Sequence, residues 1–307
     1  MAQPVKRPVR IGFLPFGSPS NTYDQSLVAA FHDGLREAGL IDDQDVVLDI
    51  VWIANDPEIP HAVDGLVERG AKLLIPVGTS ASTVVKRQVT TLPVLFINVG
   101  NPVGIGLVES LSRPGGNITG FSDMLADLSG KYVELAVELG APQATVNYLW
   151  YTEWADGENR FRYSERAAQS FGVELRSRGI KDIAEATDAM AAMKSAGAST
   201  VIIQPSPFTF RHRISLINSA MKNSVGTLFG FPAAGRDGAL IAYGPDYRDT
   251  YRRTPAYIKQ ILNGAKPADL PVQQPTKFEF IINLKTAKVL GVSVPKPLLI
   301  RADEVIE

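Results

Sequence analysis

Cysteine is absent from the 307 residues, which excludes disulfides, thiol nucleophiles and zinc sites built on thiolates. Histidine is scarce: His32, His61 and His212 are the three, too scattered for a histidine-rich metal centre. No run approaches the roughly 20 apolar residues needed to span a bilayer. The opening segment MAQPVKRPVR also lacks a hydrophobic stretch of the signal-peptide kind. Two expectations stand for it, a cytoplasmic protein or an exported one supplied in mature form. Excess charge of one sign is missing too. The 31 Lys and Arg balance 32 Asp and Glu, so no whole-chain field favours nucleic acid or an anionic membrane. With 45% apolar and 21% charged residues and no low-complexity tract, disorder is excluded.

What is present is a rhythm. Short β-branched runs alternate with helical patterns, the signature of parallel sheets flanked by helices. Strands are expected at 9–14, 46–53, 72–77 and 93–99, with helices at 26–38, 59–69 and 81–89. In the helix at 26–38, Leu27, Ala30, Phe31, Gly34, Leu35 and Ala38 recur at helical spacing and Gly39 closes it. After the turn-rich segment 112–120 (SRPGGNITG) the rhythm restarts, with helices at 128–139, 158–171, 184–196 and 210–222 and strands at 146–150, 173–177, 200–204 and 227–231. A run at 239–243, a helix at 247–263, a strand at 277–283, a helix at 284–290 and a Pro-marked tail complete the chain. The expected fold class is α/β, two Rossmann-like lobes with parallel sheets joined by a hinge. Lobe 1 takes 1–121 and 245–275, and lobe 2 takes 122–244 and 276–307.

In open α/β sheets, ligands bind beyond the carboxyl ends of the strands, where loops and helix N-termini converge. The exits here are FGSPSN (16–21), PVGTSA (76–81), NVGNP (98–102), WYTEW (150–154), QPSP (204–207), GFPA (230–233) and YGPD (243–246). Gly and Pro mixed with hydroxyls, amides and rings form the lining of a pocket that orients a small molecule. The candidate ligand-binding residues are Phe16, Ser18, Asn21, Thr79, Ser80, Asn101, Tyr151, Trp154, Gln204, Phe231 and Asp246. Thr79 and Ser80 have two readings: they hold a ligand anion at a helix start, or one of them caps that helix. Asp246 faces a ligand ammonium or serves a turn before a helix. The four rings contact ligand or fill the core. The cluster Arg211, His212 and Arg213 reads as a solvated helix face.

The enzyme alternatives lack their chemistry. There is no G-x-S-x-G elbow, no GxxxxGK[ST] phosphate loop and no G-x-G-x-x-G in a dinucleotide context. No nucleophile with a base and an orienting partner can be assigned, so no catalytic residue, metal or cofactor is expected.

Several segments together resemble one family: PVGTS (76–80), VGNPVGIGLVESLSRPGGNITG (99–120), LSGK (128–131), YGPD (243–246), NGAKPADLPVQQPTKF (263–278), INLKTAK (282–288) and RADEVIE (301–307). They are similar to the ABC-transporter substrate-binding proteins of the tryptophan/tyrosine-type group, relatives of type I periplasmic binding proteins. The resemblance covers nearly the whole chain. It implies a Venus-flytrap fold and a ligand held in the interlobe cleft, an aromatic or branched amino acid or a related aromatic acid. It also implies a monomeric receptor that delivers its ligand unchanged to an ABC permease in the inner membrane, and a periplasmic or exported, membrane-associated location. One departure bears on the ligand: the family commonly has Asp where this chain has Asn101, which weakens the case for a cationic amine. The rival is a cytoplasmic ligand-sensing domain of the same two-lobed type. Such a domain normally follows a helix-turn-helix, for which a first strand at residue 9 leaves no room.

Overall fold

A computed structural model describes residues 8–140, 145–154 and 156–307. In chain order the elements are β1 (Val9–Leu14), α1 (Thr22–Glu37), β2 (Val46–Ile50), α2 (Ile59–Glu68), β3 (Leu73–Pro76), α3 (Gly78–Gln88), β4 (Val94–Val99) and β5 (Ile118–Ser122). They continue with α4 (Ser129–Glu138), β6 (Thr145–Tyr151), α5 (Gly157–Ser170), β7 (Glu174–Ile180), α6 (Glu185–Ser195), β8 (Thr200–Ile203), α7 (Pro207–Arg211), α8 (Arg213–Lys222) and β9 (Gly226–Phe229). The last are α9 (Pro232–Arg236), β10 (Ile241–Pro245), α10 (Tyr247–Leu262), β11 (Phe278–Asn283), α11 (Leu284–Leu290), α12 (Lys296–Arg301) and β12 (Glu304–Ile306).

The chain forms two compact units. Unit 1 runs to Met124 and resumes at Asp246–Thr276, and unit 2 comprises Leu125–Pro245 and Lys277–Glu307. Unit 1 holds a five-stranded parallel sheet in the order β2-β1-β3-β4-β5. Apart from the edge strand β2, its strands are largely buried on both faces, as a parallel sheet between helix layers demands. On one face Leu14, Leu74, Val94, Phe96 and Val99 pack with Ile59, Val63 and Leu66 of α2 and Ala81 and Val85 of α3. On the other, Phe13 stacks on Phe31 of α1 at 4.7 Å, and Tyr251 of α10 tilts against it at 6.2 Å.

Helix α10, contributed after the chain has built most of unit 2, completes that second face by lying along α1. The approach is close enough that a Cβ on Gly34 would sit 2.1 Å from the Arg252 carbonyl oxygen. Arg252 also grips Glu37. The outer edge of β5 is closed by the returning segment, since Ser122 N donates to Gln273 O at 2.8 Å and Gln273 N to Gly120 O at 2.9 Å. No open strand edge remains there to recruit another chain.

Unit 2 holds seven strands in the order β12-β11-β10-β9-β8-β6-β7. From β6 to β10 it repeats unit 1's topology, first strand beside second and then third, fourth and fifth in order. Strand β11 pairs antiparallel with β10, so this sheet is mixed rather than purely parallel. Leu135, Ala136, Tyr148, Ile202, Leu228, Ile241, Phe280 and Leu298 are among its core. Burial pushes the Tyr148 phenol up to about 12, so it stays protonated in the folded protein.

Several elements differ from the sequence reading, among them α9, a short helix where none was expected. β5 begins within the segment read as turns and runs two residues past it, missed because Gly120 and Thr119 weaken its strand pattern although all five of its residues are buried. The single helix expected at 210–222 is two, α7 and α8, broken at His212. The basic cluster there is not a solvated face: Arg213 is buried and donates to Asp237 at 2.7 Å and to the Phe210 carbonyl at 3.1 Å. The Pro-marked tail forms α12 and β12.

Replacing Gly34 by Ala should lower unfolding stability by about 1–3 kcal/mol, the usual cost of forcing a carbon into a packed contact. A urea midpoint unchanged from wild type would show that α1 and α10 can part without loss.

Candidate functional site

In unit 1 the strand order reverses between β1 and β3, which places the β1 and β3 exits side by side at the topological switch point. Val77 N donates to Leu14 O at 3.1 Å and ties the two together. The β1 exit carries Phe16, Ser18 and Asn21, all part-buried. Phe16 bridges Ile53, Ser18 N donates to the buried Asp24 carboxylate at 2.9 Å, and Asn21 Oδ1 caps α1 by accepting from Asp24 N at 3.0 Å.

The β3 exit turns at Gly78, whose φ of 83° is available to glycine at little cost, and enters α3 directly. Val77 sits at the cap position, so no side chain caps this helix. Thr79 and Ser80 fall inside the first turn, and neither acts as the cap. Ser80 Oγ donates to Asp56 at 2.8 Å, while the part-buried Thr79 hydroxyl makes no hydrogen bond among the described residues. The first backbone N–H groups of an α-helix have no intrahelical acceptor, and the helix dipole adds positive potential there. The turn is therefore suited to an anionic group.

At the β4 exit Asn101 Oδ1 accepts from Gly104 N at 2.9 Å and folds the following loop. Lys86 holds that loop from α3 through the carbonyls of Gly106 and Leu107. Asp246 caps α10, its Oδ1 accepting from Asp249 N at 3.2 Å.

In unit 2 the same reversal lies between β6 and β8. Tyr151, at the end of β6, stacks flat on Phe208 at 4.1 Å, and His212 continues the ladder at 4.6 Å from Phe208. Such a ring pair adds about 0.5–1.5 kcal/mol beyond burial. Burial, and secondarily the charge of Arg211, holds the His212 imidazole below its ordinary pKa. Trp154 lies over the Arg160 guanidinium at 4.7 Å, and Asp156 accepts from Arg160 Nε at 2.9 Å in a buried pair. Gln204 is fully buried and donates to Gly157 O at 2.8 Å, which fixes the start of α5. Phe231 is buried against the edge of Phe210 at 5.0 Å.

The structure thus groups Phe16, Ser18, Asn21, Thr79, Ser80, Asn101 and Asp246 at unit 1's helix starts and strand exits, and Tyr151, Trp154, Gln204 and Phe231 at those of unit 2. Sequence reading did not choose Asn98, Asp123 or Phe208 as candidates, although Asn98 opens the exit at 98–102. Asn98 has a left-handed φ of 57° at the end of β4, and Asp123 is a buried carboxylate one residue past β5. Recognising β5 as a strand would have brought Asp123 into view as an exit residue. Phe208 was missed because its helix was started three residues too late. Among the described residues no group of three or more His, Asp or Glu is placed to hold a metal ion.

A family model described as ABC transporter substrate binding protein matches residues 23–306. A tyrosine-binding protein of Clostridioides difficile (strain R20291) is 24% identical over 262 residues, 85% of this chain and 75% of that protein. The ABC domain from Streptococcus pneumoniae in complex with L-Trp superposes with a TM-score of 0.87 at 25% identity, covering 97% of this chain and all of that one. A conserved domain protein from Vibrio cholerae gives a TM-score of 0.86 at 21% identity over 97% of this chain and 99% of its own, a likeness of fold.

The capping role of Asp246 is separable from its charge. Asp246→Ala should cost about 1 kcal/mol of stability while Asp246→Asn, an equally good cap, costs little. Matching losses in chemical denaturation of the two variants would assign Asp246 an electrostatic role instead.

Proposed function

The chain belongs to the family of ABC transporter substrate-binding proteins, and from that premise we propose that it binds an aromatic amino acid or related aromatic carboxylate for import through an ABC permease. The observation that carries the reading is the first turn of α3. It opens at the switch point of unit 1 without a side-chain cap, behind a positive-φ glycine and beside an unengaged threonine hydroxyl. A ligand carboxylate there accepts the helix's own N–H groups and the Thr79 hydroxyl, in charge-assisted bonds stronger than neutral ones. Phe16, Ser18, Asn21, Ser80 and Asn101 are the further polar and aromatic candidates on unit 1, with Asp246 as an acidic one.

Tyr151, Trp154 and Phe231, with Gln204 steadying α5, are the candidates on unit 2 for contact with the ligand's ring. The likeness to a tyrosine-binding protein and to an L-Trp complex supports the aromatic side of the reading. Release to a permease without chemical change follows the family's role, and with it an exported location at the membrane surface. No described helix is long and apolar enough to cross that membrane itself.

L-tryptophan and L-tyrosine should each raise the melting temperature in a concentration-dependent way, because a ligand that binds only the native state stabilises it by mass action. Thr79→Ala should weaken binding by about tenfold or more, the worth of one hydrogen bond to a charged group, and leave the unliganded melting temperature nearly unchanged. Calorimetry showing no heat with either amino acid or with their amine-free acids would overturn the reading. A Thr79→Ala loss confined to stability would remove α3 from the site.

A further inference from the structure

Two buried polar atoms of unit 2 have no hydrogen-bond partner among the described residues, one a donor and the other an acceptor. Arg160 is 3% exposed. Its Nε donates to Asp156 Oδ2 at 2.9 Å and its guanidinium stands over the Trp154 ring at 4.7 Å, but its buried Nη1 makes no hydrogen bond. Gln204 is 0% exposed, and its Nε2 donates to Gly157 O at 2.8 Å while its Oε1 makes none. A carbonyl can only accept, so Gly157 O fixes which end of the amide is nitrogen and turns the oxygen the other way.

Both residues stand where an α/β sheet puts its ligands. Gln204 follows β8 directly, and Arg160 lies in the opening turn of α5, the helix after β6. β6 and β8 are the strands between which the order of unit 2 reverses. The two share a neighbourhood around Tyr148 of β6: burial raises that phenol to about 12, while Ser164, Gln204 and Arg160 beside it pull it down. Glycine at 157 leaves open the space beside the Gln204 oxygen, which a Cβ would enter at 3.6 Å.

Burying a donor or an acceptor without a partner is unfavourable, so the pair selects a group that answers both. Such a group accepts from a guanidinium N–H and donates to an amide oxygen. A hydroxyl does so. A carboxylate only accepts, and it would face the amide oxygen and the Asp156 charge; an indole N–H only donates, and an unsubstituted phenyl ring does neither. A site built around a hydroxyl rejects the analogue lacking it far more strongly than an apolar pocket rejects a missing methylene, because its own polar atoms are then left unpaired.

We propose that Arg160 Nη1 and Gln204 Oε1 read a hydroxyl group on the ligand's ring, so that the ligand is phenolic rather than indolic or plain phenyl. The inference rests on the reading of the ligand as an aromatic carboxylate whose ring meets unit 2, and it adds the substituent that the ring carries. Gln204 thereby gains a second role beside holding the start of α5. A water molecule offers the same hydroxyl chemistry, and the two sources separate in the experiment.

Calorimetry of the full chain with two pairs of compounds tests it: L-tyrosine against L-phenylalanine, and 3-(4-hydroxyphenyl)propionate against 3-phenylpropionate. Wild type should prefer the hydroxylated member of whichever pair it binds by at least about thirtyfold, and L-tryptophan should bind more weakly than L-tyrosine. Arg160→Lys keeps a cation beside Asp156 and removes Nη1. It should cut the preference by about tenfold, the worth of a hydrogen bond to a charged group, by weakening the hydroxylated compound and leaving its deoxy partner nearly as before. Gln204→Met, of similar length and without the oxygen, should reduce the preference in the same way and keeps the test open should Arg160→Lys fold poorly. Equal wild-type affinity within each pair would mean that the two atoms hold water only, and would overturn the inference while leaving the aromatic carboxylate reading intact. A preference that survives both substitutions, or an equal loss of both members of a pair, would remove Arg160 and Gln204 from hydroxyl recognition. Binding of none of these compounds by wild type would overturn the underlying reading and this inference with it.

Discussion

Parallel pairing is the constraint on which everything else in this protein depends. When β1 pairs in parallel with β2 and β3, the chain must return over the face of the sheet between strands, and each return is a helix. Every strand of unit 1 therefore releases its carboxyl end at the same edge, and α1 and α3 begin there with their positive ends outward. The candidate polar groups of that unit collect at one edge for this reason and not through any local motif. β6 to β10 repeat the arrangement in unit 2, where the same edge gathers rings instead of helix starts.

Much of this was legible in the residues. β1 and α11 fall where the apolar pattern put them, and α2, β4, α4 and α10 differ by a residue or so, because each is a strongly periodic run closed by a recognisable stop. What was not legible depended on tertiary contact. β5 carries glycine and threonine and is bounded by SRPGGN, so it looks like a turn; it is a strand because β4 on one side and Gln273 on the other satisfy its backbone. The break at His212 is invisible to periodicity, since Arg213 takes a buried position suited to an apolar residue and is kept there by Asp237.

The same logic sorts the candidate site. Residue type and position at a strand exit were enough to single out Thr79 and Ser80, yet which hydroxyl is engaged depended on Asp56, which lies 24 positions before Ser80 in the chain. Asp246 and Asn101 were chosen for their chemistry, and the structure gives each a local backbone partner. Gln204 has the amide expected of a ligand contact and a burial that ties it to Gly157. Asp123 escaped because β5 was not read as a strand, and the one-residue slip at Asn98 has no signature in either strand alone.

The late arrival of α10 bears on how the protein is made. A ribosome that has delivered β1 to β5 must synthesise about 120 more residues before Asp246 appears, some 6 to 24 s at common translation rates. Until then Phe13 lacks the cover of Tyr251, and the outer edge of β5 lacks Gln273. The first-made half of the polypeptide is thus held short of its native state by a helix encoded near the end. For the exported location proposed above, that delay would keep the chain threadable, since premature closure would have to be undone before passage through a translocation channel.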